Sequence, residues 1–207
     1  MRPRRSGRKA RILVTGFDAF GREKTNPSAL IVERLRDDEI QGADLTRAIL
    51  RTSYRKSERA IRELLRLVRP DAVLCLGLAS RSARLSLEVL AVNADHAEAA
   101  DNSGEGRLRR VIDLHGPRVL ESRLPLERIR RALARARVPA EFSYHAGTYV
   151  CNHVFYVLMR ALRNRPRVPA GFVHLPPARS LVRKGLALKR ILEGVRIILR
   201  VTASAIR

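Results

Sequence analysis

The chain has 207 residues, 45% of them apolar, and a formal net charge of +22. That length and apolar share suit one domain with a continuous core and exclude a wholly disordered chain. No apolar run approaches the roughly 18 residues a membrane span needs, and the basic opening MRPRRSGRKA lacks the apolar stretch of a secretory signal.

Residues 1–10 read as a basic tail outside the fold, and residues 11–207 as one domain. RILVTGF (Arg11–Phe17) is a branched apolar run ending in a loop, which predicts a strand. Asn26 and Pro27 then supply an N-cap and a first helical residue before SALIVERLRD, whose apolar residues recur at helical spacing. DLTRAILRTS predicts a second strand, and Ser57–Val68 a second helix stopped by Pro70. Asp71–Leu78 is nearly all apolar, the pattern of a central parallel strand, and Arg84–Ala94 alternates as a further strand. The polar stretch from Asp95 to Pro125 predicts a long loop with a short hairpin. Pro125–Val138 is a third helix, Glu141–His145 a strand, Val150–Leu162 a fourth helix, Gly171–Pro176 a strand, and Leu181–Val201 an Arg-rich last helix. Strands alternating with helices imply an α/β sandwich with a largely parallel sheet, in which function gathers at strand carboxyl ends.

The charge is almost all arginine, since lysine occurs only at 9, 24, 56, 184 and 189. The arginines fall at polar-face spacing along helices, and aromatic residues are only 4% of the chain, which leaves few stacking platforms for single strands. Solvated helix faces therefore account for the charge, with attraction to nucleic acid expected only non-specifically and at low salt. Two cysteines suit a reducing, cytoplasmic setting better than a disulfide framework. Cys75 sits in DAVLCLG as an ordinary strand residue. Phosphate-loop, GxSxG, HxxxH and CxxC patterns do not occur, which argues against nucleotide, serine-hydrolase and zinc chemistry.

Cys151 is different, because it follows the glycine-led GTYV at a helix start. Unpaired N–H groups and the helix dipole there favour a thiolate and offer an oxyanion site. A Cys–His pair needs an imidazole to move the proton. His153 lies two residues on and faces elsewhere on a helix, so it reads as structural, whereas His174 lies near a strand end held by prolines. Glu88 lies in an apolar strand; facing inward it would orient His174, and facing outward it would need no partner.

ILVTGFDAFGREKTNPS, GTYVCNHVFY and GFVHLP, in this order and separation, resemble the pyroglutamyl peptidase I family of cysteine peptidases from about Arg11 to the last helix. The resemblance implies a single-domain three-layer α/β/α sandwich with no cofactor and no metal. It implies a Cys–His–Glu triad that removes N-terminal pyroglutamyl residues from peptides with a blocked N-terminus, in a chain that is often a homotetramer. Carried over by position, Cys151 is the nucleophile, His174 the base and acid, and Glu88, opening EVLAVN, the orienting acid. Phe17 and Phe20 would pack the lactam ring, Asn26 would brace their loop, and the Val150 backbone would lie beside the scissile carbonyl.

The chain also departs from that pattern. Gly77-Leu78-Ala79-Ser80-Arg81-Ser82 replaces Gly-Gln-Ala-Gly-Gly-Arg, Val89 replaces an Arg, and Glu98 replaces an Arg in the loop before Asp101-Asn102. These changes leave two alternatives beside pyroglutamyl release: a specificity drifted to another blocked N-terminal residue, or a catalytically degenerate basic binding module.

Overall fold

The computed structural model describes residues 8–21, 25–178 and 185–206. Its first strand, β1 (Ala10–Phe17), leads into a loop closed by Asn26, whose Oδ1 accepts Ser28 N at 3.0 Å and caps α1 (Pro27–Arg34). β2 (Ala43–Leu50), α2 (Tyr54–Val68) and β3 (Ala72–Leu78) follow. Five short strands come next: β4 (Leu85–Glu88), β5 (Leu90–Val92), β6 (Asp95–Ala97), β7 (Arg107–Arg110) and β8 (Val119–Glu121). α3 (Leu126–Arg135), β9 (Ala140–Ser143), α4 (Val150–Ala161), β10 (Ala170–Leu175) and α5 (Leu188–Ala203) complete the order.

Six strands form the central sheet in the order β2-β1-β3-β10-β4-β9. Every neighbouring pair is parallel except β10 and β4. The alternation of each strand divides the core in two. Ala72, Leu74 and Leu76 pack under α1, α3 and α5, while Val73 and Cys75 pack under α2 and α4. The result is the expected three-layer sandwich. α2 is amphipathic and buries Tyr54, Ser57, Ile61 and Leu65 at helical spacing. α4 is buried from Asn152 through Met159, which is why its sequence is apolar on nearly all sides. No helix among the described residues is long and apolar enough to cross a membrane.

Several expected boundaries shift for physical reasons. The strand expected over Arg84–Ala94 is two strands. At Val89 the chain leaves the main sheet, its N–H bonding Ser143 O at 2.7 Å and its carbonyl accepting Ser122 N at 2.8 Å, and β5 then pairs with β8. The long loop holds this strand and the hairpin β6–β7. α2 starts at Tyr54 rather than Ser57, because the distant Asp101 carboxylate accepts Tyr54 N at 2.8 Å and caps the helix. The strand expected to reach His145 ends at Ser143. For the last helix, residues 181–184 lie outside the described residues and Ala187 is still extended, so α5 starts at Leu188. Residues 1–7 of the basic tail also lie outside the described residues; Arg8 and Lys9 pair with Asp71 and Asp44, and Ala10 already belongs to β1.

Candidate active site

Cys151 is the second residue of α4, after the extended N-cap Tyr149 and the left-handed Gly147 (φ 79°). His153 N makes a helical bond to Tyr149 O at 3.1 Å, while the N–H groups before it have no carbonyl one turn back. The thiol rests on β3 at Gly77, where a Cβ would stand 3.0 Å from Sγ and 2.8 Å from the Phe172 ring. Only glycine lets the helix start approach the sheet this closely. Cys151 is partly exposed and Cys75 fully buried, and both are free thiols. Burial pushes the Cys75 thiol up to about 12, with Thr15 opposing weakly, so it stays protonated.

His174 lies on β10 beside Gly77 in register, on the sheet face that α4 covers. Its Nδ1 is 2.7 Å from Glu88 Oε1, and its ring lies 4.9 Å from that of Phe172. Glu88 ends β4, and the register of β4 against β10 brings the two together: Ser86 stands opposite His174 and Leu87 opposite Val173, which leaves Glu88 diagonal to His174. Glu88 is 1% exposed, and its Oε2 is buried without a hydrogen-bond partner among the described residues. Burial disfavours a charged His174, but the Cys151 sulfur and then Glu88, each by hydrogen bond and by charge when ionised, overcome it and push the imidazole up to about 10. The imidazole thus sits between a sulfur and a carboxylate, both of which favour its charged form.

Phe17 is buried, its ring 6.4 Å from Phe172, so it lies one ring behind His174 in the core. Phe20 is half-buried and meets the Tyr149 ring at 5.0 Å, beside the start of α4. Asn26 ties their loop through Nδ2 to Asp18 O at 3.0 Å. The Val150 side chain is buried, which leaves its backbone at the helix start. Leu78 pairs in register with Leu175 and so leaves the sheet on the face away from Cys151. Glu98 is exposed on a bend and makes no ion pair among the described residues.

Three supports have partners that sequence reasoning did not name. Asn152 receives Val92 N and donates to Val92 O, both at 2.9 Å, and to Ala94 O at 3.0 Å, pinning β5 to α4. His153 is structural and ionic: Nδ1 is 2.9 Å from Asp95 Oδ2 and Nε2 3.3 Å from Glu58 Oε2. Arg107 closes that network on Asp95 at 2.6 Å and stacks 4.2 Å over the Tyr54 ring. Burial opposes a charged His153, yet Asp95 and Glu58 raise its pKa, and the same contact with His153 lowers Glu58 to about 2. Asp101 and Asn102 form the third support. Asn102 Nδ2 donates to Ala19 O at 2.7 Å and Asp18 Oδ1 at 3.2 Å, fixing the segment that carries Phe20. The DN pair was visible in the sequence, but Asp101 acts on Tyr54 from 47 positions away and the Asn102 side-chain partners lie 83 and 84 positions away.

Comparison with known proteins gives one family. The pyroglutamyl peptidase sequence profile matches residues 10–205. Pyrrolidone-carboxylate peptidase 1 of Ralstonia nicotianae is 39% identical over 197 residues, 92% of each chain. The corresponding Bacillus licheniformis protein is 35% identical over 90% of this chain and 89% of its own. Among solved structures, the Bacillus amyloliquefaciens pyroglutamyl peptidase I superposes with a TM-score of 0.90 at 33% identity, covering 95% of this chain and 98% of that one. A variant of the Pyrococcus furiosus pyrrolidone carboxyl peptidase superposes with a TM-score of 0.89 at 28% identity, covering 94% and 98%.

Proposed function

The chain belongs to the pyroglutamyl peptidase family of cysteine exopeptidases, and we propose that it releases N-terminal pyroglutamyl residues from peptides through Cys151, His174 and Glu88. The observation that carries the assignment of roles is the His174–Glu88 contact of 2.7 Å, on the imidazole that the Cys151 sulfur also hydrogen-bonds.

The Cys151 sulfur attacks the pyroglutamyl carbonyl carbon, and the carbonyl electrons move onto oxygen. The N–H groups at the start of α4 stabilise that oxyanion. When the tetrahedral species collapses, the C–N bond breaks and His174 gives its proton to the leaving amine, freeing the shortened peptide. Water, deprotonated by His174, then attacks the thioester; the C–S bond breaks, pyroglutamate leaves and the pair recharges. Glu88 Oε1 accepts a hydrogen bond from Nδ1–H throughout, which leaves Nε2 for the sulfur and the substrate. The lactam has no free amine, so an apolar slot with few polar groups suffices. Phe20 supplies one wall, while Phe17 backs the core behind His174.

The family likeness also supports a homotetramer, and two free thiols support a reducing compartment. Light scattering of the purified chain tests the first. For the reaction, hydrolysis of pyroglutamyl-aminomethylcoumarin is measured beside Cys151→Ala under reducing conditions. Activity confined to the wild type is the expected result; equal activity in both would remove Cys151 from the mechanism.

A further inference from the structure

α2 and α4 both end at the edge of the sheet opposite Cys151, where β3 and β10 begin. The chain segments there are stitched together. Arg165 donates to Pro70 O at 2.6 Å, Val73 N to Pro169 O at 2.9 Å, and Arg123 N to Ala170 O at 2.8 Å. This edge carries Arg66 and Arg69 from the end of α2, Arg163, Arg165 and Arg167 after α4, and Arg123 between them. Arg66, Arg69, Arg163 and Arg167 are exposed and make no ion pair among the described residues.

The carboxylates nearby do not balance them. Asp71 is held by Arg8 at 2.9 Å and by Arg11 at 3.7 Å, and Glu63 and Glu121 pair with none of these arginines. Arg123 is starved of acceptors. Its Nη1 reaches only the Leu162 and Arg165 carbonyls, each at 3.3 Å, while Nε and Nη2 are buried with no partner. Burial, and then the neighbouring Arg165, hold its pKa below the usual arginine value. The carbonyl ends of two helices soften this excess of charge, which explains why the edge tolerates it. They leave the outward guanidinium groups unmatched.

From this uncompensated edge we infer that the chain binds the phosphate backbone of duplex nucleic acid on the face remote from Cys151. Planar guanidinium forks suit phosphate oxygens. Leu67 is the exposed large apolar side chain between Arg66 and Arg69, too little to anchor the edge in a lipid layer. Among the described residues none of these arginines stacks on an aromatic ring, so recognition is by charge and without base stacking.

The test is fluorescence anisotropy of a labelled 20-base-pair duplex against salt. It compares the wild type, a variant with Arg66, Arg69, Arg163 and Arg167 changed to Gln, and a control with Arg131, Arg135, Arg137 and Lys189 changed to Gln. Both variants lose four charges, and circular dichroism melting verifies their folding. The edge variant is expected to lose about tenfold or more in affinity at 0.1 M salt, and its log–log salt slope to flatten by up to about 3.6, since each of four phosphate contacts contributes about 0.9. The control should stay within about twofold. Equal losses in both variants would mean net charge alone is felt and would overturn the assignment, as would tighter binding to phosphatidylglycerol vesicles than to duplex. If the edge variant fails to fold, phenylglyoxal modification of the wild type decides: the duplex must protect Arg163 and Arg167, and no protection refutes the site.

Discussion

Glu88→Gln is the sharpest probe of the site, because it removes one charge while keeping volume and position. Glu88 is 1% exposed and holds His174 at 2.7 Å, so solvent cannot replace it. A hydrogen bond to a charged partner is worth about 1.5–3 kcal/mol. At about 1.4 kcal/mol per tenfold, that predicts a loss of about 10- to 150-fold in kcat/KM. The pH profile carries the more specific signature. His174 is raised from 6.5 to about 10 against burial, with Glu88 as one of the two groups that raise it. A raised imidazole stabilises the fold fully below its unfolded pKa, and that contribution disappears as pH rises through about 10. Without Glu88 the folded pKa falls, so both the alkaline limb of activity and the alkaline loss of stability move to lower pH. Cys151 alkylation by iodoacetamide, followed beside hydrolysis, shows separately whether the sulfur stays reactive in the variant. An unchanged alkaline limb together with full activity would refute the coupling of Glu88 to His174.

Asp95→Asn should destabilise the fold by about 3 kcal/mol, because Arg107 and His153 lose a shared buried anion; a thermal melt should fall by about 6–12 °C. The same network makes the chain acid-sensitive: Glu58, lowered from 4.5 to about 2, contributes stability above pH 4.5 that vanishes as pH falls through about 2, and the acid melt of Glu58→Gln should lack that component. Gly77→Ala puts a methyl 2.8 Å from Phe172 and 3.0 Å from Cys151 Sγ, so it should cost about 1–3 kcal/mol by overpacking and slow turnover more than Asp95→Asn does; equal activity at equal stability would contradict the close approach. Asn102→Ala frees Ala19 and hence Phe20, and should raise KM about tenfold while Cys151 alkylation stays at the wild-type rate.

The layers of the fold were legible because periodicity alone separates a buried strand such as Asp71–Leu78 from an amphipathic helix such as Ser57–Val68. What the sequence left open was direction. The run Arg84–Ala94 alternates correctly for a strand, but alternation is blind to whether β4 runs with or against β10. The pairing of Ser86 with His174 is what sets Glu88 diagonal to His174, and alternation does not specify that pairing either. The same limit applies to the charged groups around α4. His153 looked like a satisfied core histidine and its face was correctly judged, but the identity of Asp95, Glu58 and Arg107 as its partners depends on contacts spanning 46 to 95 positions. The cap on α2 is a further instance, supplied by Asp101 from 47 positions away.

The three departures from the family pattern bear on specificity only where their side chains reach the thiol. Val89 acts in the structure through its backbone, bonded on one side to Ser143 and on the other to Ser122. Glu98 is exposed, so water screens its charge from the sulfur. Leu78 adjoins Gly77 in the chain, yet strand alternation turns it to the face of Leu175, away from Cys151 and His174. Pyroglutamyl specificity should therefore survive all three. Leu78→Gln and Glu98→Arg, which restore the family residues, are each expected to change kcat/KM for pyroglutamyl-aminomethylcoumarin by less than about threefold, or well under 1 kcal/mol of transition-state binding. A panel of other N-blocked aminoacyl coumarins should remain poor substrates for all of them. A tenfold gain from Leu78→Gln would show that this position reaches the lactam through the strand end, and the parity argument would be wrong.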